Sequence, residues 1–156
     1  MATNRFHVGG RRLFNQIFNG GTARPTSIWI GLRICNGVGS NPADAADADS
    51  MTSNLSEVSP TNTGYARVQV TNNTTNFPET LSGIDSILTL ASQAFNFSGS
   101  ALPVNGVTHA FICTGTTATD TTGILIASIA LAATRNFASG DQENVVFMLA
   151  AEGAYG

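Results

Sequence analysis

The sequence predicts a mainly β protein: an antiparallel β-sandwich, a jelly roll being one version of it, with a short N-terminal helix. Three observations point there. Several runs alternate apolar and polar residues with a period of two, which sets one face of a strand on a core. Polar turn signals separate them, at Asn105-Gly106, Thr114-Gly115 and Ser139-Gly140-Asp141. The length, 156 residues, suits a single domain over residues 1–156 with a core of its own and no internal repeat.

The clearest strand is residues 27–35. Ile28, Ile30, Leu32 and Ile34 alternate with Trp29, Gly31, Arg33 and Cys35, so one face is aliphatic throughout. Residues 65–71 make a second, with Ala66, Val68 and Val70 on one face and Tyr65, Arg67 and Gln69 on the other. Phe95 and Phe97 mark a short strand ending near Gly99, and residues 107–114, 124–131 and 144–150 supply three more. Residues 84–90 fit a strand or a helix. The helix is expected over residues 11–19, where Leu13, Phe14, Ile17 and Phe18 share a side; Gly9-Gly10 limits its start and Gly20-Gly21 stops it. So short a helix is marginal alone, and its stripe needs a sheet or a partner to cover it. Residues 36–63 show no period. Two Gly, two Pro and three Asp among many Ser and Asn make a long polar loop or arm, of the kind that orders by draping over a neighbour.

Composition narrows the function. Charged residues are 11% of the chain, less than half the usual share, against 42% hydrophobic. The surface is then largely Thr, Ser, Asn and Gly, which costs little to desolvate and suits permanent contact. There is no Lys. Arg5, Arg11, Arg12, Arg24 and Arg33 all precede the first acid, Asp44, so the N-terminal fifth is basic and the rest acidic. That basic segment reads as a dock for an acidic neighbour or as solubilising charge. It is too sparse for nucleic acid, and the net charge of −3 argues the same way. The start is polar, without the apolar run of a secretory signal, and the longest apolar stretch, residues 123–133, falls far short of the roughly 20 residues of a spanning helix. No membrane role is expected, and synthesis in a cytoplasm is. Cys35 and Cys113 then default to buried thiols, a disulfide between them being the alternative. The N-x-S/T triplets at Asn54, Asn72, Asn73 and Asn96 reflect an Asn/Thr-rich composition.

Catalysis needs groups that move protons or activate a nucleophile. His7 lies in a polar tail, and His109 lies on an apolar strand, where one hydrogen bond satisfies a core histidine. Neither cysteine has a histidine motif beside it. No Gly-x-Ser-x-Gly elbow or phosphate loop occurs, and Gly37-Val38-Gly39 lacks the rest of a nucleotide fingerprint. Asp44, Asp47 and Asp49 lack the spacing and the glycine of a calcium loop, and Glu57 is misplaced as its last ligand. Cys and His are too few for structural zinc. The expectation is a non-enzymatic protein with no catalytic residue, cofactor or metal.

Three stretches follow one another in a particular order. Residues 11–32, RRLFNQIFNGGTARPTSIWIGL, set an amphipathic segment and a Gly break before a strand of the form apolar-Trp-apolar-Gly-Leu. Glu57-Val58-Ser59 then leads to Gly64-Tyr65-Ala66-Arg67-Val68-Gln69-Val70-Thr71. Last come Val107-Thr108-His109 with three apolar residues, residues 123–131, and Gly140-Asp141 before Val145-Val146-Phe147. The ordered set, which covers most of the chain, resembles a family of small tailed-phage virion structural proteins described as head decoration, cement or tail proteins. Residues 36–56 run longer than in that pattern, and residues 84–90 have no counterpart in it.

The resemblance implies a virion component without catalytic residues. The leading expectation is a capsid cement or decoration protein on the capsid surface. It would be a symmetric homo-oligomer, a trimer first, seated where subunits of the major capsid protein meet. Arg5, Arg11, Arg12 and the 36–63 loop are the expected shell contacts; Trp29, Arg33, Tyr65 and Arg67 are further interface candidates. Tyr65 buries a ring while its hydroxyl reaches a polar partner. Arg67, on the same face, holds an acid two-pronged, within one subunit or between subunits. The alternative is a tail or tail-fibre-associated subunit contacting a tail adaptor or a host glycan, with Trp29 and Tyr65 stacking on sugar or packing in the core. A third reading is a small hydrolase of the host surface.

Overall fold

The computed structural model describes residues 5–6, 13–14, 17, 20–21, 23–34, 57–82, 85–120 and 122–151. Its elements are strands: β1 (Arg5–Phe6), β2 (Ser27–Ile34), β3 (Val68–Thr71), β4 (Glu79–Ser82), β5 (Asp85–Thr89), β6 (Gln93–Asn96), β7 (Val104–Cys113), β8 (Leu125–Phe137), β9 (Gln142–Val145) and β10 (Met148–Ala151). Every pairing among them is antiparallel. One sheet runs β1-β8-β7-β2-β3, a second β10-β5-β4, and β6 pairs with β9 in a ribbon.

The β2 strand lies inside the large sheet, between β7 and β3, and is buried on both faces. Ile28, Ile30 and Leu32 enter the larger apolar cluster, with Val70, Val107, Ala110 and Ile112 from their neighbours in the sheet. Phe95 and Val145 of the ribbon, together with Tyr65, Phe97 and Phe147, join the same cluster. Trp29 points the other way, into a smaller cluster with Phe111, Cys113 and Leu125. Residues 28–33 are consequently all buried. At Gly31 the two layers leave no room for a side chain: a Cβ there would run into the Phe111 ring and sit 2.6 Å from the Tyr65 hydroxyl oxygen.

Aromatic rings hold the ribbon to the large sheet. Phe97 stacks on Phe137 with centroids 4.1 Å apart, and Tyr65 lies 5.9 Å from Phe95 and 6.2 Å from Phe97. Backbone bonds fix this aromatic row. Phe97 N–H donates to Asp141 C=O at 3.0 Å and Phe97 C=O accepts from Gly140 N–H at 2.8 Å, while Ser98 and Gly99 N–H both donate to Thr63 C=O at 3.0 Å. Asn62 C=O occupies the space that a Cβ at Gly99 would need.

Several sequence expectations change, among them the strand expected over 65–71, which begins only at Val68 as β3. The helix over residues 11–19 is not among the elements: only Leu13, Phe14 and Ile17 of that stretch are described, with helical backbone, and the rest lie outside the described residues. Asn105-Gly106 is no turn but a bulge inside β7, with Gly106 at φ 78° and the pairing to β8 shifting register between Val104 and Val107. The strand expected over 144–150 divides in two, because the chain changes partner there: β9 pairs with β6 and β10 with β5. Of residues 84–90, Asp85–Thr89 form β5, and its partner β4, mostly polar, had no apolar alternation to announce it. Residues 36–56 of the polar loop lie outside the described residues, yet its last part belongs to the core. Val58 is fully buried, its N–H donating to Leu32 C=O at 3.0 Å.

Replacing Phe97 by Ala should lower the unfolding free energy by about 3–5 kcal/mol, the range for a buried aromatic. Leu81→Ala, at a position 79% exposed, should stay within about 0.5 kcal/mol of the parent. Urea unfolding of the two variants beside the parent checks both values.

Candidate functional site

The densest polar chemistry in the described residues gathers where β2, the approach to β3 and the β7–β8 connection meet. Glu57 reaches it because the chain at 57 pairs with β2, in an antiparallel bridge to Arg33. Tyr65 and Arg67, two residues apart in extended chain, point to the same side. The Glu57 carboxylate accepts from the Tyr65 hydroxyl at 2.9 Å and from Arg67 Nε at 2.8 Å on one oxygen, and from an Arg67 terminal nitrogen on the other. The second terminal nitrogen of Arg67 donates to Asp120 C=O at 2.8 Å. The Tyr65 oxygen in turn accepts Leu32 N–H at 2.9 Å. Arg67 also lies over the Phe111 ring, 5.6 Å from its centroid.

Burial sets the electrostatics. The side chain of Arg67 is 3% exposed and that of Glu57 20%. Burial disfavours the Arg67 charge, but the hydrogen bonds and charge of Glu57 outweigh it, so the guanidinium holds its proton more tightly than usual. Burial, then the Glu57 charge, pushes the Tyr65 hydroxyl well above its ordinary range. It stays a neutral donor. A pair taken out of water this far stabilises little relative to an apolar substitute, yet removing one partner strands a buried charge.

The β7–β8 connection is shaped to present the Asp120 carbonyl. Asp120 Oδ2 accepts Thr116 N–H at 2.8 Å and Oδ1 accepts Thr122 N–H at 2.7 Å, with both threonine hydroxyls added. The Thr116 N–H, followed by the Thr122 groups, holds this carboxyl well below the usual carboxylate range. The loop is pinned to β2 by Trp29 Nε1–H donating to Gly115 C=O at 3.0 Å. Gly123 closes it where the Thr114 carbonyl excludes a Cβ. Beside the network opens a pocket of about 240 Å³, bordered by Glu57, Pro60, Tyr65, Ala66, Arg67, Ala118 and Thr119.

Chemically, these groups are spent on one another. Glu57 has both oxygens engaged by Tyr65 and Arg67, and the Tyr65 hydroxyl both donates and accepts. The Cys113 thiol, buried in one cluster with Phe111, is pushed up to about 12 by burial and remains a thiol at neutral pH. His109 has Nδ1 2.8 Å from Thr108 Oγ1, and burial followed by the Arg33 charge lowers its pKa, favouring the neutral ring. Among the described residues, no group of three or more His, Cys, Asp or Glu is placed to hold a metal.

The proposed contact residues fall in three places. Arg5 stands on the short strand β1, opposite Ser128 of β8. Arg11 and Arg12 lie outside the described residues. Trp29, Arg33, Tyr65 and Arg67 are 9%, 3%, 3% and 7% exposed: the chain's own residues cover them, and the acid that Arg67 holds two-pronged is its own Glu57. Sequence reasoning did not single out Glu57 as that acid, nor Asp120, Gly31 and Phe111 as the surround. The signal available was the Glu57-Val58-Ser59 piece standing before Tyr65-Ala66-Arg67. No family model matches the chain, and no curated protein matches it.

Arg67→Met should cost about 3–5 kcal/mol by stranding Glu57, and Tyr65→Phe about 1–3 kcal/mol by leaving Leu32 N–H unmet; chemical denaturation measures both. The Cys113 thiol rises from 9.0 to about 12 on folding, so its neutral form contributes stability that is complete below about pH 9 and is lost as pH climbs through that window. Tyr65, raised as well, acts with the same sign. Melting temperature should therefore fall on the alkaline side, and peptide mapping after iodoacetamide at about pH 8 should find Cys113 alkylated only once the chain is unfolded.

Proposed function

We propose that the chain is a structural subunit of a tailed-phage particle, a capsid cement or decoration protein acting as a symmetric oligomer on the shell. Its layered core is read as a β-sandwich, the five-stranded sheet forming one layer and the β6–β9 ribbon packing on it through Phe95, Phe97 and Val145.

The observation that carries the reading is where the charge goes. In a chain only 11% charged, Arg33 and Arg67 are buried. The surface keeps Leu81, Leu88, Val146 and Met148 exposed at 79%, 37%, 47% and 49%, among Thr, Ser and Asn. Such a surface is cheap to desolvate and favours broad, lasting contacts. The resemblance also gains a physical sense. Gly31 from its first stretch, Glu57, Tyr65 and Arg67 from its second, and Phe111 from its third all meet in one network. That supports a shared fold as the basis of the likeness. The basic N-terminal residues Arg5, Arg11 and Arg12 then serve as the dock on an acidic shell, and bridging several capsid subunits raises the work of separating them.

Co-sedimentation of the full chain with purified expanded capsids tests this. Saturable binding in multiples of three is expected, weakened by salt because the dock is electrostatic. Deleting residues 1–12 should lower the affinity about tenfold or more. Absence of binding, or binding indifferent to the deletion, overturns the reading. Label found on tails instead of heads moves the chain to the tail.

A further inference from the structure

Asn105-Gly106 is the one turn signal of the sequence that folds into a strand, and it carries a chemistry the fold has to restrain. An Asn side-chain carbonyl next to Gly is open to attack by the following backbone nitrogen, because Gly has no Cβ to hinder the approach. The Gly106 nitrogen, losing its proton, bonds to the Asn105 side-chain carbon. The side-chain amide leaves as ammonia and a five-membered imide remains. Water then opens the imide at either carbonyl, giving an aspartyl or an isoaspartyl residue. The net change is one water consumed and one ammonia released, with no oxidant, metal or cofactor.

The surroundings bear directly on each requirement. Asn105 is exposed, so water reaches it. The attacking nitrogen is engaged: Gly106 N–H donates to Asn136 Oδ1 at 2.9 Å, from the facing strand β8. Holding that proton in a hydrogen bond opposes its loss. The bulge keeps Gly106 at φ 78°, a conformation that only Gly adopts readily, so the hindrance of a larger residue was never an option here. Pairing of Val104 with Phe137 and of Val107 with Arg135 clamps the backbone on either side, against the rotation that ring closure demands.

We infer that Asn105-Gly106 is a latent deamidation site and that Asn136 is the residue that restrains it. The inference stands apart from any role on a capsid. The site is chemically primed and conformationally closed. Conversion there would place a new negative charge, and in the isoaspartyl form an extra backbone atom, in the β7–β8 pairing.

The test is peptide mapping of the whole chain during incubation in mildly alkaline buffer, following conversion of an amide to a carboxyl at Asn105. Native protein should convert it several-fold more slowly than protein unfolded in guanidinium. Asn136→Ala should raise the native rate about fivefold, the scale of one neutral hydrogen bond. Asn136→Asp, which keeps an acceptor oxygen, should restore protection. The melting temperature of each variant, and the rates at Asn19-Gly20 and Asn36-Gly37 in the same digests, separate a local effect from general loosening. Equal rates in native and unfolded protein overturn the proposal, as does an unchanged rate in Asn136→Ala. If Asn136→Ala does not fold, the parent comparison, together with hydrogen exchange at the Gly106 amide, decides alone: rapid exchange there rejects the restraint.

Discussion

A carboxylate held against the interior must be neutralised, and the fold around β2 follows from how Glu57 is. The two prongs of Arg67 meet it, which fixes the approach to β3. The Tyr65 hydroxyl meets it too, and passes the demand on to Leu32 N–H of β2. Arg67 has donors left, and Asp120 C=O takes one, so the β7–β8 connection must stand where it does. Segments from four parts of the chain are tied through one acid. Such a network favours one arrangement over others more than it adds net stability, since desolvation offsets most of the attraction.

The apolar side of the design is compatible with this because the network sits at the boundary between two clusters. Tyr65 belongs to the larger one and stacks on Phe95 and Phe97. Phe111 belongs to the smaller one and carries Arg67 over its ring. Gly31 lies between, and its missing side chain is the gap through which Phe111 and the Tyr65 hydroxyl approach β2. Packing and polar bonding are therefore coupled here: an added methyl at Gly31 disturbs a ring contact and a hydrogen bond at once.

What the sequence revealed, and what it hid, divides along local and distant terms. The strand β2 was legible because its alternation is complete over the whole element. The shared side of Tyr65 and Arg67 was legible from their spacing of two, although the strand expected over 65–71 begins only at Val68. Glu57 as their acid was not, because Pro60 and Gly64 interrupt the chain between and no period carries across them. Asp120 was invisible as a partner of Arg67, since it contributes its backbone carbonyl while its carboxylate is occupied with Thr116 and Thr122. The burial of Arg33 and Trp29 depends on what covers the second face of β2, which alternation alone does not specify. Asn105-Gly106 has the local chemistry of a hairpin turn; the facing Asn136, thirty residues on, makes it a bulge.

The order of the large sheet has a consequence for biosynthesis. The chain's first strand, β1, pairs with β8, and β2 finds β7 across some eighty residues. During translation, then, β2 emerges long before the strand that covers its second edge, with apolar residues on both faces. A ribosome adding about 5–20 residues per second leaves that strand waiting for several seconds. The nascent chain is exposed to premature association for the whole of that interval, and the sheet closes late, from its C-terminal third inward.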